Sequence, residues 1–236
     1  MKINAANFYS KKTARIYFEL GVFFLLSIPT ISALFLLLAS VISFIKSKKN
    51  YFKNIWNKYF FSGGIALVIS SLVLSFKEKT EIFSNQNSAL NWIDLFNWIP
   101  FFFCFWVFQP YLRNIQSRRR ISLILILGSI PLIITGLGQY FFNWNGPIVL
   151  LNGLITWFQR PINESGGLTG LFNNENYASL WFLIIWPMCL ASIKDKYLSK
   201  SNKIILFLIT ILTFTSAILT RSRMARIELI FAYVFT

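Results

Sequence analysis

Two polar clusters in the last third of the chain have residue types suited to holding an anion. The first reads Gly-Leu-Thr-Gly-Leu-Phe-Asn-Asn-Glu-Asn-Tyr over 167–177, and the second reads Thr-Arg-Ser-Arg-Met-Ala-Arg over 220–226. They flank two strongly apolar stretches, 178–193 and 204–219. If both stretches are antiparallel membrane helices, the asparagines at the start of one lie near the arginines after the other. The pattern predicts an anion site, because ionisable residues at the rim of a membrane are by default functional.

In the first cluster, amide side chains follow a glycine-rich loop. Three glycines within 163–170 allow tight backbone turns and close approach by a ligand. Asn173, Asn174 and Asn176 are candidate hydrogen-bond donors at the start of helix 178–193, where free N–H groups and the helix dipole favour phosphate. An ordinary helix N-cap after a glycine loop is the competing interpretation.

In the second cluster, arginine supports the phosphate hypothesis. A guanidinium offers two parallel charge-assisted hydrogen bonds to a phosphate. Arg223 has the small neighbours Ser222 and Ala225 and lies where a new apolar segment begins, so we expect it to face a ligand. Arg221 and Arg226 have a simpler interpretation as anchors that snorkel to the lipid head groups.

A further arginine, Arg160, follows a moderately apolar piece, Ile148–Phe158, that is too short to span a membrane. We expect this piece to be an interfacial or re-entrant segment. Arg160 then points back toward the outer mouth of the helices, or it is a solvated loop arginine.

Composition places the chain among integral membrane proteins. Of its 236 residues 56% are hydrophobic, with 26 Phe and 8 Trp, and the mean hydropathy is +0.58, which exceeds what a soluble core of this size buries. Several segments meet the length of roughly 17–25 apolar residues that a spanning helix needs: Leu20–Ile45, Phe60–Phe76, Leu95–Leu112, Ile121–Gln139, Ala178–Ile193 and Ile204–Leu219. We predict an all-α polytopic integral membrane protein, a single transmembrane domain over 1–236 with a bundle of about 7–8 transmembrane helices.

The last apolar segment begins near Ile227 and is still apolar at Thr236. About ten residues cannot cross a hydrocarbon layer that needs ~20. The sequence therefore predicts a chain truncated in its last helix and incomplete at its C-terminus.

Lysine and arginine counts predict the orientation, since the side with the excess is cytoplasmic. The segments 46–58, 113–120 and 194–203 carry five, four and four basic residues and are predicted to lie inside. The segments that alternate with these along the chain, 77–94, 139–177 and 220–226, are then predicted to lie on the outer face.

The stretch 20–45 fits this scheme in two ways. Four basic residues precede it and favour an inside N-terminus, which requires two short helices with a bend at Pro29. The alternative is one tilted span with the N-terminus outside. A secretory signal peptide is disfavoured, because the apolar run exceeds the usual 7–15 residues.

The remaining composition argues against several classes of site. The net charge of +15 comes from clusters that match the membrane topology, so anionic membrane lipids explain it and nucleic acid is not an expected partner. With no histidine and with scattered acids, we expect no metal site and no cofactor. Cys104 and Cys189 lie in apolar segments and read as small core residues.

The two clusters resemble the O-antigen ligase and O-antigen polymerase-like membrane glycosyltransferases. Their pattern is Gly-x-Phe-x-Asn-Pro-Asn-x-x-Ala, a helix, a short basic loop, another helix and a Ser-Arg pair. Here the segment 170–178 matches the first part and Ser222-Arg223 the second. Three positions depart from the family pattern: Glu175 replaces a Pro, Gly167 a frequent Arg, and Arg221 a frequent Gly.

The resemblance implies a GT-C-like architecture and an inverting, metal-independent transferase. Such proteins take a glycan from an undecaprenyl-diphosphate carrier at the periplasmic face of the bacterial inner membrane, in lipopolysaccharide or surface polysaccharide biosynthesis. The acceptor hydroxyl belongs to a lipid A core sugar, a growing repeat unit or a protein. By resemblance, Arg223 holds the diphosphate, with Arg160 and Arg221 as weaker candidates beside Ser222. The three asparagines position the donor.

The family's histidine, thought to be the general base, lies in a large outer loop that follows the next helix. This chain has no histidine, so no catalytic residue is assigned within it. Two other classes stay open: a membrane transporter for a small anion such as bicarbonate, and a non-catalytic membrane remnant.

Overall fold

The computed structural model describes residues 5–78, 88–153, 155–162 and 166–223. Within these ranges the chain forms eight α-helices and one antiparallel β-hairpin. The helices are α1 (Ala5–Phe23), α2 (Pro29–Ser47), α3 (Ile55–Glu78), α4 (Ser88–Leu112), α5 (Ile115–Gly128), α6 (Ile130–Phe142), α7 (Glu175–Ile193) and α8 (Lys200–Leu219). The strands are β1 (Gly146–Leu150) and β2 (Ile155–Gln159), and 3₁₀ turns cover Lys48–Lys53, Leu151–Gly153 and Gly170–Phe172. Arg226 and the segment from Ile227 lie outside the described residues.

Among the described residues, four helical stretches are long and apolar enough to cross a membrane: Ile55–Phe76, Ile115–Phe142, Glu175–Ile193 and Lys200–Leu219. Large apolar side chains such as Leu37, Ile69 and Phe207 are more than half exposed, as expected of surfaces that face lipid. A mostly helical membrane protein is therefore supported, while the count of seven or eight spans stays a prediction. In α4 the apolar part, Trp98–Leu112, is shorter than the predicted span.

The stretch 20–45 contains the predicted break at Pro29. α1 ends at Phe23, and α2 begins at Pro29, where the missing proline N–H costs no helical hydrogen bond. The Ser32 hydroxyl donates to the Gly21 carbonyl at 2.6 Å, and a Cβ on Gly21 would lie 2.6 Å from Leu36 Cγ. The two helices therefore pack closely at Gly21. Whether each crosses the membrane stays a prediction.

The predicted span Ile121–Gln139 is two consecutive helices, α5 and α6, with a break at Ser129. Pro131 lacks the N–H that would continue the ladder. The Ser129 hydroxyl donates to the Leu125 carbonyl at 2.7 Å and accepts from Trp181 Nε1 at 2.9 Å. The break is thus tied to α7.

The segment Ile148–Phe158, expected to be interfacial or re-entrant, lies within a β-hairpin. Gly146 pairs with Gln159, and Ile148 pairs with Trp157. The connection uses Leu151, Asn152 and Gly153, all with positive φ. The sequence signal for the hairpin is the Asn-Gly pair at 152–153, which favours a tight turn between alternating residues. Whether the hairpin lies at the membrane interface or re-enters the membrane stays a prediction.

Contacts divide the chain into two compact units. One contains 1–16 and 37–114, and the other contains 17–36 and 115–236. In the first, aromatic rings join α3 to α4, with Phe60 stacked on Phe102 at a centroid distance of 5.5 Å. In the second, α5, α6, α7 and α8 enclose a core whose fully buried members include Ile126, Leu132, Leu168, Phe182 and Ile185.

One buried acid in the second unit is paired. Glu19 is 8% exposed, and its Oε2 lies 2.7 Å from Arg120 Nη2. A charge among apolar helices is costly without such a partner. The pair therefore joins α1 to the basic start of α5.

Candidate anion-binding site

The structure brings the two polar clusters together at one end of α7 and α8. The Ser222 hydroxyl donates to Asn176 Oδ1 at 3.0 Å, and the Leu168 N–H donates to the Leu219 carbonyl at 2.9 Å. The start of α7 thus lies beside the end of α8. This confirms the convergence predicted from the sequence.

Two consecutive glycines allow this approach. A Cβ on Gly166 would lie 2.5 Å from an Arg221 guanidinium nitrogen. A Cβ on Gly167 would lie 2.3 Å from the Thr220 carbonyl oxygen and 2.6 Å from Glu175 Cδ. Real Cβ contacts are never this short, so a larger residue at either position displaces its neighbours. These glycines therefore make room for protein atoms of the second cluster.

The end of α8 is a fixed turn. Thr220 is fully buried, and its hydroxyl donates to the Ala217 carbonyl at 2.7 Å. Arg221 follows with φ +56°, a left-handed conformation that costs a residue with a Cβ roughly 1–2 kcal/mol. Its Nη2 lies 3.4 Å from the Tyr140 hydroxyl, to which it donates. The guanidinium is thereby held over Gly166.

Ser222 and Arg223 complete the turn with opposite exposure. Ser222 is 4% exposed, while Arg223 is exposed. No hydrogen bond or ion pair joins the Arg223 side chain to another residue within the described ranges. Arg223 therefore follows the residue that contacts Asn176 and is exposed to solvent.

The first two predicted asparagines serve the fold. Asn174 is the N-cap of α7, and its Oδ1 accepts from the N–H groups of Asn176 and Tyr177 at 2.9 and 3.2 Å. α7 therefore begins at Glu175 rather than at 178, and the N-cap interpretation holds for Asn174. Asn173 has φ +52°, and its Nδ2 donates to the Phe158 carbonyl at 2.8 Å. It fastens the hairpin to the site loop.

Arg160 joins this network through its backbone. Its N–H donates to Asn173 Oδ1 at 2.7 Å, and its carbonyl accepts from Gln139 Nε2 at 2.8 Å. The residue itself is exposed. This placement favours the solvated arginine of the two alternatives.

Sequence reasoning missed the role of Gln139, which is 1% exposed. Besides Arg160, its Nε2 donates to Thr169 Oγ1 at 2.9 Å. Its Oε1 accepts from the N–H groups of Thr169 and Gly170 at 2.9 and 3.0 Å. Gln139 thus fixes the loop that leads into the first cluster. The sequence did contain a sign of this role, since Gln139 is a single amide side chain at the end of an apolar segment.

A second glutamine, Gln159, ends β2 and is fully buried. Its Nε2 donates to the Thr135 carbonyl at 2.9 Å. Its Oε1 has no hydrogen-bond partner in the described part of the chain. The amide therefore anchors the hairpin to α6 through its donor alone.

The site is electropositive. Among the described residues of this region, three arginines, Arg160, Arg221 and Arg223, accompany one carboxylate, Glu175, which lies in the first turn of α7, where the helix dipole is positive. Across the described residues no group of three His, Cys, Asp or Glu side chains is placed to hold a metal. Guanidinium, amide and hydroxyl donors are the groups that bind phosphate oxygens. The arrangement suits a phosphate-bearing ligand held by hydrogen bonds.

Comparison with known proteins adds no assignment. The chain matches no protein-family model, no curated protein sequence and no solved structure.

Proposed function

We propose that the chain takes part in O-antigen ligase-like glycan transfer. In this proposal it binds an undecaprenyl-diphosphate-linked glycan at the periplasmic face of the bacterial inner membrane. The glycan passes to an acceptor hydroxyl in lipopolysaccharide or surface polysaccharide biosynthesis. The Ser222–Asn176 hydrogen bond is the observation that supports this most, because it places two arginines at the N-terminal end of α7.

The roles of the residues follow from their environment. Arg223 is exposed beside a buried serine, so it grips the diphosphate as a bidentate donor. Arg221 is oriented by Tyr140 and adds a second fixed cation. Asn176 keeps its Nδ2 group for the ligand while its Oδ1 accepts from Ser222.

Such a site suits a lipid diphosphate leaving group. Negative charge grows on the diphosphate as the glycosidic bond breaks, and preorganised donors at a membrane rim stabilise that charge. The GT-C-like architecture and the outward orientation of the site belong to the same proposal.

Binding of undecaprenyl diphosphate to the chain in nanodiscs tests the proposal. We expect Arg223→Ala to weaken binding about tenfold or more, since hydrogen bonds to charged groups contribute ~1.5–3 kcal/mol. Lys196→Ala removes an exposed cation at the other end of α7 and is the matched control. Equal affinity of Arg223→Ala and Lys196→Ala would contradict the proposal.

A flux measurement separates transfer from transport. Proteoliposomes that release bicarbonate in an Arg223-dependent manner, without binding the lipid diphosphate, would replace the proposal with an anion transporter. A chain with neither property would be a non-catalytic membrane protein.

A further inference from the structure

The first unit contains an apolar groove between α3 and α4. Its volume is about 670 Å³, within the ~300–1,000 Å³ of typical ligand sites. Phe60, Phe102 and Ile65 are among its lining residues. Phe60 stacks on Phe102 and on Phe105, at centroid distances of 5.5 and 5.1 Å. The groove wall is therefore built of packed rings.

A polar pocket of about 880 Å³ adjoins this groove. Trp106 lines both cavities. The consecutive residues Phe52 and Lys53 line the groove and the pocket respectively, and consecutive Cα atoms are ~3.8 Å apart. The two cavities therefore share a wall residue and lie within reach of one elongated molecule.

The wall of the pocket contains side-chain amides that are hydrogen-bonded to one another. Asn54 Nδ2 donates to Gln109 Oε1 at 3.2 Å, and Gln109 Nε2 donates to Asn57 Oδ1 at 2.9 Å. Asn57, 1% exposed, donates in turn to the Tyr51 carbonyl at 2.8 Å. These bonds hold α3 and α4 at a fixed separation around the pocket.

The charge of the pocket is positive. Lys53 and Arg113 line it, and no carboxylate is among its lining residues in the described part of the chain. No ion pair joins either cation to another described residue. The positive end of α3, which begins at Ile55, adds to the attraction for an anion.

We propose that the groove and the pocket together bind one anionic phospholipid, with an acyl chain along the groove and the phosphate on Lys53 and Arg113. A soluble anion would not use the aromatic groove, and a zwitterionic lipid would bring its own cation beside Lys53 and Arg113. Anionic phospholipids supply both features, and clustered basic residues at a membrane surface attract them. This site is independent of the glycan-transfer proposal.

Native mass spectrometry with phosphatidylglycerol tests the head-group contact. We expect Lys53→Ala/Arg113→Ala to weaken binding about 30-fold, because each basic residue contributes ~1 kcal/mol to anionic lipid binding. Lys58→Ala, an exposed cation of α3 outside the pocket, is the control and retains affinity. Phosphatidylcholine bound as tightly as phosphatidylglycerol would overturn the charge assignment.

Two neighbouring glycines of α3 test the groove. A Cβ on Gly64 would lie 3.9 Å from Phe102, and a Cβ on Gly63 would have no atom within 4 Å, so a side chain can begin at either position without displacing a neighbour. Gly64→Leu fills the groove and lowers phosphatidylglycerol affinity, while Gly63→Leu does not. If both folded variants bound phosphatidylglycerol with equal affinity, the proposal that an acyl chain lies in the groove would be refuted. Preferential binding of undecaprenyl phosphate over phosphatidylglycerol would refute the phospholipid assignment.

Discussion

At the residue scale, three asparagines with the same side chain make different hydrogen bonds at the start of α7. Asn173, Asn174 and Asn176 have the same amide, yet two of them make bonds that shape the loop and the N-cap. Only Asn176 links the clusters. The backbone conformation decides which amide groups already have a hydrogen-bond partner and which can bind a ligand. That conformation cannot be read from the sequence.

Arg221 combines strain with a charge, and substitution separates the two. Its φ of +56° suits glycine, so Arg221→Gly should be more stable than Arg221→Ala by about 1–2 kcal/mol. Both variants lose the guanidinium, and both should bind undecaprenyl diphosphate more weakly than the parent. Thermal unfolding and ligand binding measure the two effects. Arg221→Gly less stable than Arg221→Ala would show that the turn is not strained.

Gln139 holds the site loop by three hydrogen bonds and the Arg160 carbonyl by a fourth, so its loss should loosen that loop. Gln139→Leu leaves the N–H groups of Thr169 and Gly170 without their acceptor, at roughly 1–3 kcal/mol per buried group. Hydrogen exchange of 166–172 should accelerate. Gln116→Leu, at an exposed position of α5, is the control. Unchanged exchange in Gln139→Leu would contradict this role.

Gly167 tests the close approach of the clusters. Gly167→Ala places a Cβ 2.3 Å from the Thr220 carbonyl, and such overpacking costs about 1–3 kcal/mol. We expect a lower melting temperature and weaker diphosphate binding. Gly63→Ala, with open space around its Cβ, should keep the melting temperature. A Gly167→Ala protein as stable as that control would mean that the approach is looser than described.

At the element scale, the indole of Trp157 fastens the β-hairpin to the connection between α1 and α2. Trp157 Nε1 donates to the Ser27 carbonyl at 2.6 Å, between α1 and α2. Trp157→Phe keeps most of the ring and removes that donor, so it should lower stability by about 0.5–1.5 kcal/mol. Protease cleavage within 146–159 should become faster. Phe158→Leu, at an exposed position of the same strand, should leave cleavage unchanged.

At the scale of the whole molecule, the sequence determined the class and the apolar helices but not the breaks and the hairpin. Long apolar runs such as Ile204–Leu219 are set by the bilayer length, so the prediction and α8 agree. The hairpin was missed because its apolar and aromatic residues suggested the membrane interface, whereas its pairing depends on a turn and on contacts with α6. The contact between the two clusters was predictable, because in a pair of antiparallel helices the start of the first helix lies beside the end of the second. Gln139 was missed because its three partner residues, Arg160, Thr169 and Gly170, are distant in sequence.

The predicted orientation places opposite ends of α7 on opposite sides of the membrane. Asn145 and Lys196 are exposed residues before and after α7, so single cysteines there test it in a Cys104→Ala/Cys189→Ala background. A membrane-impermeant maleimide applied to intact cells should label Asn145→Cys, and it should label Lys196→Cys only after permeabilisation. The expectation follows from the basic segments 113–120 and 194–203, because lysine and arginine favour the cytoplasmic side. Labelling of Lys196→Cys alone in intact cells would invert the topology and move the Ser222–Asn176 site to the cytoplasmic face, where a glycan transfer outside the membrane is impossible.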